Sequence, residues 1–239
     1  MKKGAIAILG GMGPEASAKM LEVMVDMAAN DFGAKDGTDF PEIILFSLPV
    51  PDFISDKRKI GIAKSILEDK VKLLNNMDAS CAVLACNTAH IMIDDLQAVS
   101  NVQFISMIEA VADEVERQSI GTVGLLATPS SINAGLFQRA FSKRKIKVIL
   151  PSNAQMKELE VVIRRVIAKK ASDQDEKIVL SIAKNLVERG AKGVILGCTE
   201  LPLIFPKSFP LPIFDSIVIT CRVLLIKAFD SEKKGFTIN

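Results

Sequence analysis

The chain has 239 residues, 49% of them hydrophobic and 24% charged, a globular composition with length for one large domain or two small ones. Thirty Lys plus Arg against twenty-eight Asp plus Glu give a net charge of +2, so the basic excess that marks a nucleic-acid binder is missing. Trp and Tyr are absent and there is one histidine, His90, which removes the usual stacking platforms for single strands and any site that needs two imidazoles.

The first expected element is a strand over Ala5–Leu9, followed by a small-residue loop and a helix over Glu15–Asn30 with Pro14 in its first turn, where a missing N–H costs nothing. A strand at Ile43–Phe46 and a helix at Lys57–Asn76 come next. Strands at Ala82–Ala85 and Phe104–Ser106 then precede a helix at Ile108–Gln118. The later strands are Thr122–Leu126, Lys147–Leu150, Gly193–Leu196 and Ile213–Phe214, and the later helices Lys157–Ala168, Asp173–Arg189 and Ile217–Phe229. The strand runs are apolar without polar alternation, as when both faces of a parallel sheet are covered, so the expected class is α/β.

The same grammar occurs twice. Gly4–Gly13 and Gly121–Ser131 both read strand, small-residue loop, helix; Ala85-Cys86-Asn87-Thr88 and Gly197-Cys198-Thr199 both end a buried strand in a small residue, then Cys, then Thr. Two pseudo-symmetric α/β lobes are the simplest architecture, with residues 1–107 plus 209–239 forming the first and 108–208 the second. The longest apolar stretch, 213–229, is broken by Asp215, Arg222 and Lys227, so no membrane span is expected. The short apolar start runs into Gly10-Gly11-Met12-Gly13-Pro14 rather than a cleavage site, and the four cysteines at 81, 86, 198 and 221 lack C-x-x-C spacing. The expectation is a cytoplasmic protein with reduced thiols.

Three motifs carry candidate chemistry. Gly11-Met12-Gly13-Pro14-Glu15-Ala16 matches G-x-G-x-x-A between a strand and a helix; it reads as a small-anion loop, a tight structural turn, or a dinucleotide fingerprint that lacks the acid expected after the second strand. Cys86 and Cys198 each end a strand, where α/β sheets bind ligands, and each precedes an expected helix start that would lower its thiol pKa. Cys81 and Cys221 sit in apolar patterns and read as core. His90, four residues after Cys86, raises a Cys-His hydrolase, although a solvated or capping role fits better because no orienting Asn or Asp can be assigned. The basic run Lys143-Arg144-Lys145 with Lys147 reads as a solvated edge.

Taken together, Gly10-Gly11-Met12-Gly13-Pro14-Glu15-Ala16, Cys86-Asn87-Thr88-Ala89-His90 and Gly197-Cys198-Thr199-Glu200-Leu201 resemble the aspartate/glutamate racemase family, as do Leu126-Ala127-Thr128 and Pro212-Ile213-Phe214-Asp215-Ser216. The resemblance implies a pyridoxal-phosphate-independent amino-acid racemase that uses no cofactor, has two α/β lobes with an active site between them, and forms a homodimer. It implies Cys86 and Cys198 as the catalytic pair. Substrate contacts would come from Met12, Gly13, Asn87 and Thr88 in the first half of the chain and from Thr128, Thr199 and Glu200 in the second. Its side-chain positions map to Phe53, where relatives carry arginine after Pro51-Asp52, and to Lys169 or Lys170, while Thr220 stands where relatives often have histidine. Inversion needs a proton removed on one face of the α-carbon and returned on the other, which two opposed thiols do while donors hold the carboxylate. Rival readings are another thiol-based isomerase or decarboxylase, and a non-catalytic small-anion or nucleotide-binding α/β protein.

Overall fold

Ala5–Gly10 (β1) is buried along its whole length because it lies inside a parallel sheet. It pairs on one side with Ile43–Ser47 (β2) and on the other with Ala79–Leu84 (β3); Phe104–Ile105 (β4) completes the order β2-β1-β3-β4. The computed structural model describes residues 5–53 and 56–233. Pro14–Phe32 (α1) buries Ala16, Met20, Met24 and Ala28, spaced four apart on one stripe. Ile60–Leu74 (α2) buries Ala63, Leu67, Val71 and Leu74 in the same way, and the short helix Ile93–Ala98 (α3) precedes β4.

The second sheet repeats this order. Thr122–Leu126 (β5) pairs in parallel with Lys147–Ile149 (β6) and Val194–Leu196 (β7), and Ile213–Asp215 (β8) completes β6-β5-β7-β8. Met107–Arg117 (α4), Pro129–Asn133 (α5) and Leu136–Lys143 (α6) lie with one part of the core, where Val111, Val115, Phe137, Phe141 and Phe214 pack together. Asn153–Ile167 (α7) and Asp173–Glu188 (α8) supply Leu159, Ile163, Ile182 and Leu186 to another, and Ser216–Lys233 (α9) comes after β8. The class is therefore α/β, with two parallel four-stranded sheets flanked by helices.

Packing divides the described residues into two units. The first holds those up to Ala85, Met92–Ser106 and those from Thr220; the second holds Cys86–Ile91 and Met107–Ile219. Because β8 pairs with β7, residues 213–215 extend the second sheet, and the chain returns to the first unit only within α9. Three short helices, α3, α5 and α6, lie outside the helix ranges read from the sequence. The basic run is also not a solvated edge throughout. Arg144 is largely covered and binds Glu109 at 2.7 Å and Asp113, so it ties the end of α6 to α4.

Candidate active site

In both sheets the strand order reverses beside the first strand of the half, between β1 and β3 and between β5 and β7. At such a switch point neighbouring connections leave in opposite directions and open a crevice at the carboxyl ends of the strands. Cys86 comes just after β3 and Cys198 just after β7, so each thiol occupies the same topological place. The small residue before Cys198 has a steric cause: a Cβ on Gly197 would lie 2.8 Å from Leu125 Cδ1 and 2.9 Å from Phe137 Cζ.

Cys86, Asn87, Thr88, Thr128, Cys198, Thr199 and Glu200 all fall in the second unit, and all are buried. The Cys198 thiol donates to Glu200 Oε2 at 3.0 Å, and Thr199 Oγ1 donates to the same oxygen at 3.0 Å. Burial pushes the Cys86 thiol up to about 12, and the negative charge of Glu200 adds to that. Hydrogen bonds from the backbone at Ala89 and Thr88 and from the Thr88 side chain pull the other way without overcoming it. Burial also raises Cys198 well above its ordinary value, reinforced by Glu200 and by Cys86. The expected lowering of these thiols is thus corrected. Each cysteine leads into a short 3-10 turn, Thr88–Met92 or Leu201–Leu203, and desolvation of a thiolate outweighs the few N–H dipoles available there.

Two buried polar clusters adjoin the thiols in sequence. The hydroxyls of Thr88, Thr128 and Ser131 form a ring, with Thr88 to Thr128 at 2.9 Å, Thr128 to Ser131 at 3.0 Å and Thr88 to Ser131 at 3.1 Å. Thr128 is the N-cap of α5 and accepts the Ser131 N–H, with Pro129 at the first helical position, a local pattern that sets both side chains. Asn87 Nδ2 donates to Ser216 Oγ at 2.8 Å, and Ser216 in turn donates to the Leu196 carbonyl. This chain orients the Asn87 amide and leaves its Oδ1 buried without a hydrogen-bond partner among the described residues. Such an acceptor is a place for a ligand N–H. Ser131 and Ser216 have no sequence-derived role: the first is signalled only by the Thr-Pro-Ser-Ser cap, the second only by its place at the end of the Pro212–Ser216 motif.

His90 is buried, which corrects its solvated reading. Its Nε2 accepts the Met107 N–H at 3.0 Å and its Nδ1 lies 3.0 Å from the Cys86 carbonyl, so it caps the start of α4. Burial drops its pKa to about 4, and with both ring nitrogens engaged it has no nitrogen left for hydrolytic base chemistry.

The remaining predicted residues divide between the two units. Met12, Gly13 and Phe53 are in the first unit, Met12 and Phe53 buried. Lys169 is exposed in the α7–α8 turn, with a left-handed φ of 54°. In the glycine motif, Gly11 has φ +94°, a Cβ there would meet the Leu48 carbonyl oxygen at 2.2 Å, and its N–H donates to Ser17 Oγ. The motif closes a strand–helix junction, and β2 ends at Ser47 without the acid a dinucleotide ribose requires. Among the described residues no His, Cys, Asp or Glu group is arranged to hold a metal ion, and no helix is long and apolar enough to cross a membrane.

Known proteins share this fold. Residues 9–224 match the Asp/Glu/Hydantoin racemase family. The Broad specificity amino-acid racemase RacX of Bacillus subtilis (strain 168) is 25% identical over 218 residues, 88% of this chain and 92% of that protein. An aspartate racemase homologue from Pyrococcus horikoshii OT3 superposes with a TM-score of 0.79 at 30% identity, covering 95% of this chain and 99% of that one. The aspartate racemase of Picrophilus torridus has the same fold, with a TM-score of 0.80 at 22% identity and 94% of each chain covered. With the match running from β1 into α9 and spanning both cysteine motifs, the chain belongs to the Asp/Glu/hydantoin racemase family.

Proposed function

We propose that this protein is a cofactor-independent amino-acid racemase in which Cys86 and Cys198 are the two acid–base groups. The observation that carries the reading is the pair of buried thiols at equivalent strand ends, Cys198 donating to Glu200, within a unit that also buries a hydroxyl ring and the Asn87 amide oxygen. The hydroxyls of Thr88, Thr128 and Ser131 are donors suited to the substrate carboxylate. Asn87 Oδ1 suits an N–H of the α-ammonium group. One cysteine, as thiolate, takes the α-proton and becomes a thiol; the electron pair of the C–H bond moves into the carboxylate as an enolate-like species. The other cysteine, as thiol, gives its proton to the opposite face and becomes the thiolate. Developing charge on the carboxylate oxygens is where the hydroxyl donors act, in a site from which water is excluded. Glu200, already accepting from Cys198, is the proton acceptor at hand when Cys198 must start as the base.

For the substrate side chain we propose that dicarboxylates are not strongly preferred. Phe53 cannot form the paired hydrogen bonds by which a guanidinium holds a carboxylate, and the similarity to a racemase described as broad in specificity supports the same reading. Purified protein is incubated with a panel of L-amino acids in deuterium oxide, following the α-proton by NMR and the D-form by chiral chromatography, in wild type and Phe53→Arg. The expected result is exchange with D-amino-acid formation on several neutral substrates, and about a ten- to a hundredfold gain in kcat/KM for aspartate from the arginine, the worth of one charged hydrogen bond. Absence of exchange on every amino acid overturns the racemase; strong aspartate selectivity unimproved by the arginine overturns the side-chain reading.

A further inference from the structure

We propose that His90 is the positioning residue for the Cys86 base, pinning the thiol-bearing turn to the start of α4 through a neutral ring of one fixed tautomer. The geometry sets the tautomer. Met107 N–H donates to Nε2 at 3.0 Å, so Nε2 carries no proton; the ring proton is then on Nδ1, which donates to the Cys86 carbonyl at 3.0 Å. Burial, which keeps the ring neutral near physiological pH, agrees with that assignment.

The Cys86 carbonyl also accepts the Ala89 N–H at 3.2 Å, and the His90 N–H donates to the Asn87 carbonyl at 3.2 Å. Two consecutive peptides are therefore held through their carbonyls, Cys86–Asn87 by the His90 ring and the Ala89 N–H and Asn87–Thr88 by the His90 N–H, which constrains the backbone that carries the thiol and the Asn87 amide. His90 also stands where the chain is about to leave the second unit: residues 92–106 belong to the first, and the chain re-enters at Met107. The ring joins the two ends of that excursion. Cys198 has a different support, its carbonyl accepting from Leu201 N–H and its thiol donating to Glu200. Loss of the imidazole should consequently act on one base and not the other.

This inference rests on the racemase reading, and its consequence is one-sided. In deuterium oxide, initial α-proton exchange is measured separately from the L- and D-enantiomer of a substrate the wild type turns over. Cys86→Ser identifies the enantiomer whose proton Cys86 removes. For His90→Ala the expected result is about a ten- to a hundredfold fall in the saturating rate of α-proton exchange from that enantiomer, the scale of a displaced catalytic group. Exchange of the other enantiomer and both KM values should stay within about threefold, and His90→Gln, with a donor and an acceptor on a flexible stem, should recover part of the loss. An equal fall for both enantiomers, as general loosening would give, overturns the proposal, as does no fall.

A second measurement is independent of turnover. Native protein is alkylated with iodoacetamide and the modified cysteines are mapped by mass spectrometry. His90→Ala should speed Cys86 about tenfold or more as its turn opens, with Cys198 unchanged. If the wild type racemises no amino acid the racemase reading fails, and this comparison still decides on His90: equal rates at both cysteines overturn it.

Discussion

At Cys86, burial and the charge of Glu200 oppose ionisation together, pushing the thiol up to about 12. An unfolded cysteine titrates near 8.5, so between about 8.5 and 12 the unfolded chain sheds a proton that the native chain keeps. A group whose native pKa is raised supports the fold below its unfolded pKa, and that support drains away as pH climbs towards the native value. By pH 10 the loss reaches about 2 kcal/mol for such a thiol. Urea unfolding of wild type and Cys86→Ala at pH 8 and pH 10 should show the wild type losing about 2 kcal/mol more than the variant, and equal losses would place the thiol in a far more favourable setting for its thiolate. The same property shapes the proposed chemistry. A high thiol pKa makes the thiolate scarce and strongly basic, which suits removal of a weakly acidic α-proton.

Between elements, Arg144 shows how a charged residue can hold two helices together. Its side chain is 15% exposed and reaches Glu109, Asp113 and, at 3.6 Å, Glu116, all on α4, from the end of α6. A largely covered guanidinium shared among carboxylates contributes more than an isolated surface pair, and its stem adds packing. Arg144→Ala should lower stability by about 1–2 kcal/mol, whereas Lys143→Ala, whose side chain is 68% exposed, should cost less than about 0.5 kcal/mol; similar values for both in thermal melts would refute the network. The sequence discloses little of this, because Lys143-Arg144-Lys145 looks uniform until α4 is placed beside it. The long elements are legible: β1 and β5 are uninterrupted apolar runs, and α1 and α8 carry apolar residues at helical spacing. The short helix α6 escapes sequence reading although Leu136, Phe137, Ala140 and Phe141 share a face, since eight residues give the period barely two turns to declare itself. The cysteines and the Asn-Thr after Cys86 are visible as a repeated motif. The hydroxyl ring is only half visible, because Thr88 meets Thr128 and Ser131 across about forty residues of chain, and Asn87 meets Ser216 from farther still. The sign of the thiol shifts is hidden for a related reason: a strand end before a helix start suggests a favourable dipole, but burial depth and the placement of Glu200 are tertiary facts.

Across the whole chain, the repeat hinted at by the sequence becomes a repeat of topology. Both sheets are parallel, four-stranded and ordered second-first-third-fourth within their half, and each half places a cysteine just after its third strand. Duplication of that kind supplies two thiols at equivalent places, and the proposed inversion of a stereocentre uses one on each face. The central claim is therefore the division of labour between the two thiols. Its most direct test is α-proton exchange in deuterium oxide, measured from each enantiomer separately, for Cys86→Ser and Cys198→Ser beside the wild type. The account predicts that neither variant racemises, that each still exchanges the α-proton of one enantiomer, and that the enantiomer is opposite in the two. Racemisation near the wild-type rate in either variant, or exchange of the same enantiomer by both, would contradict it.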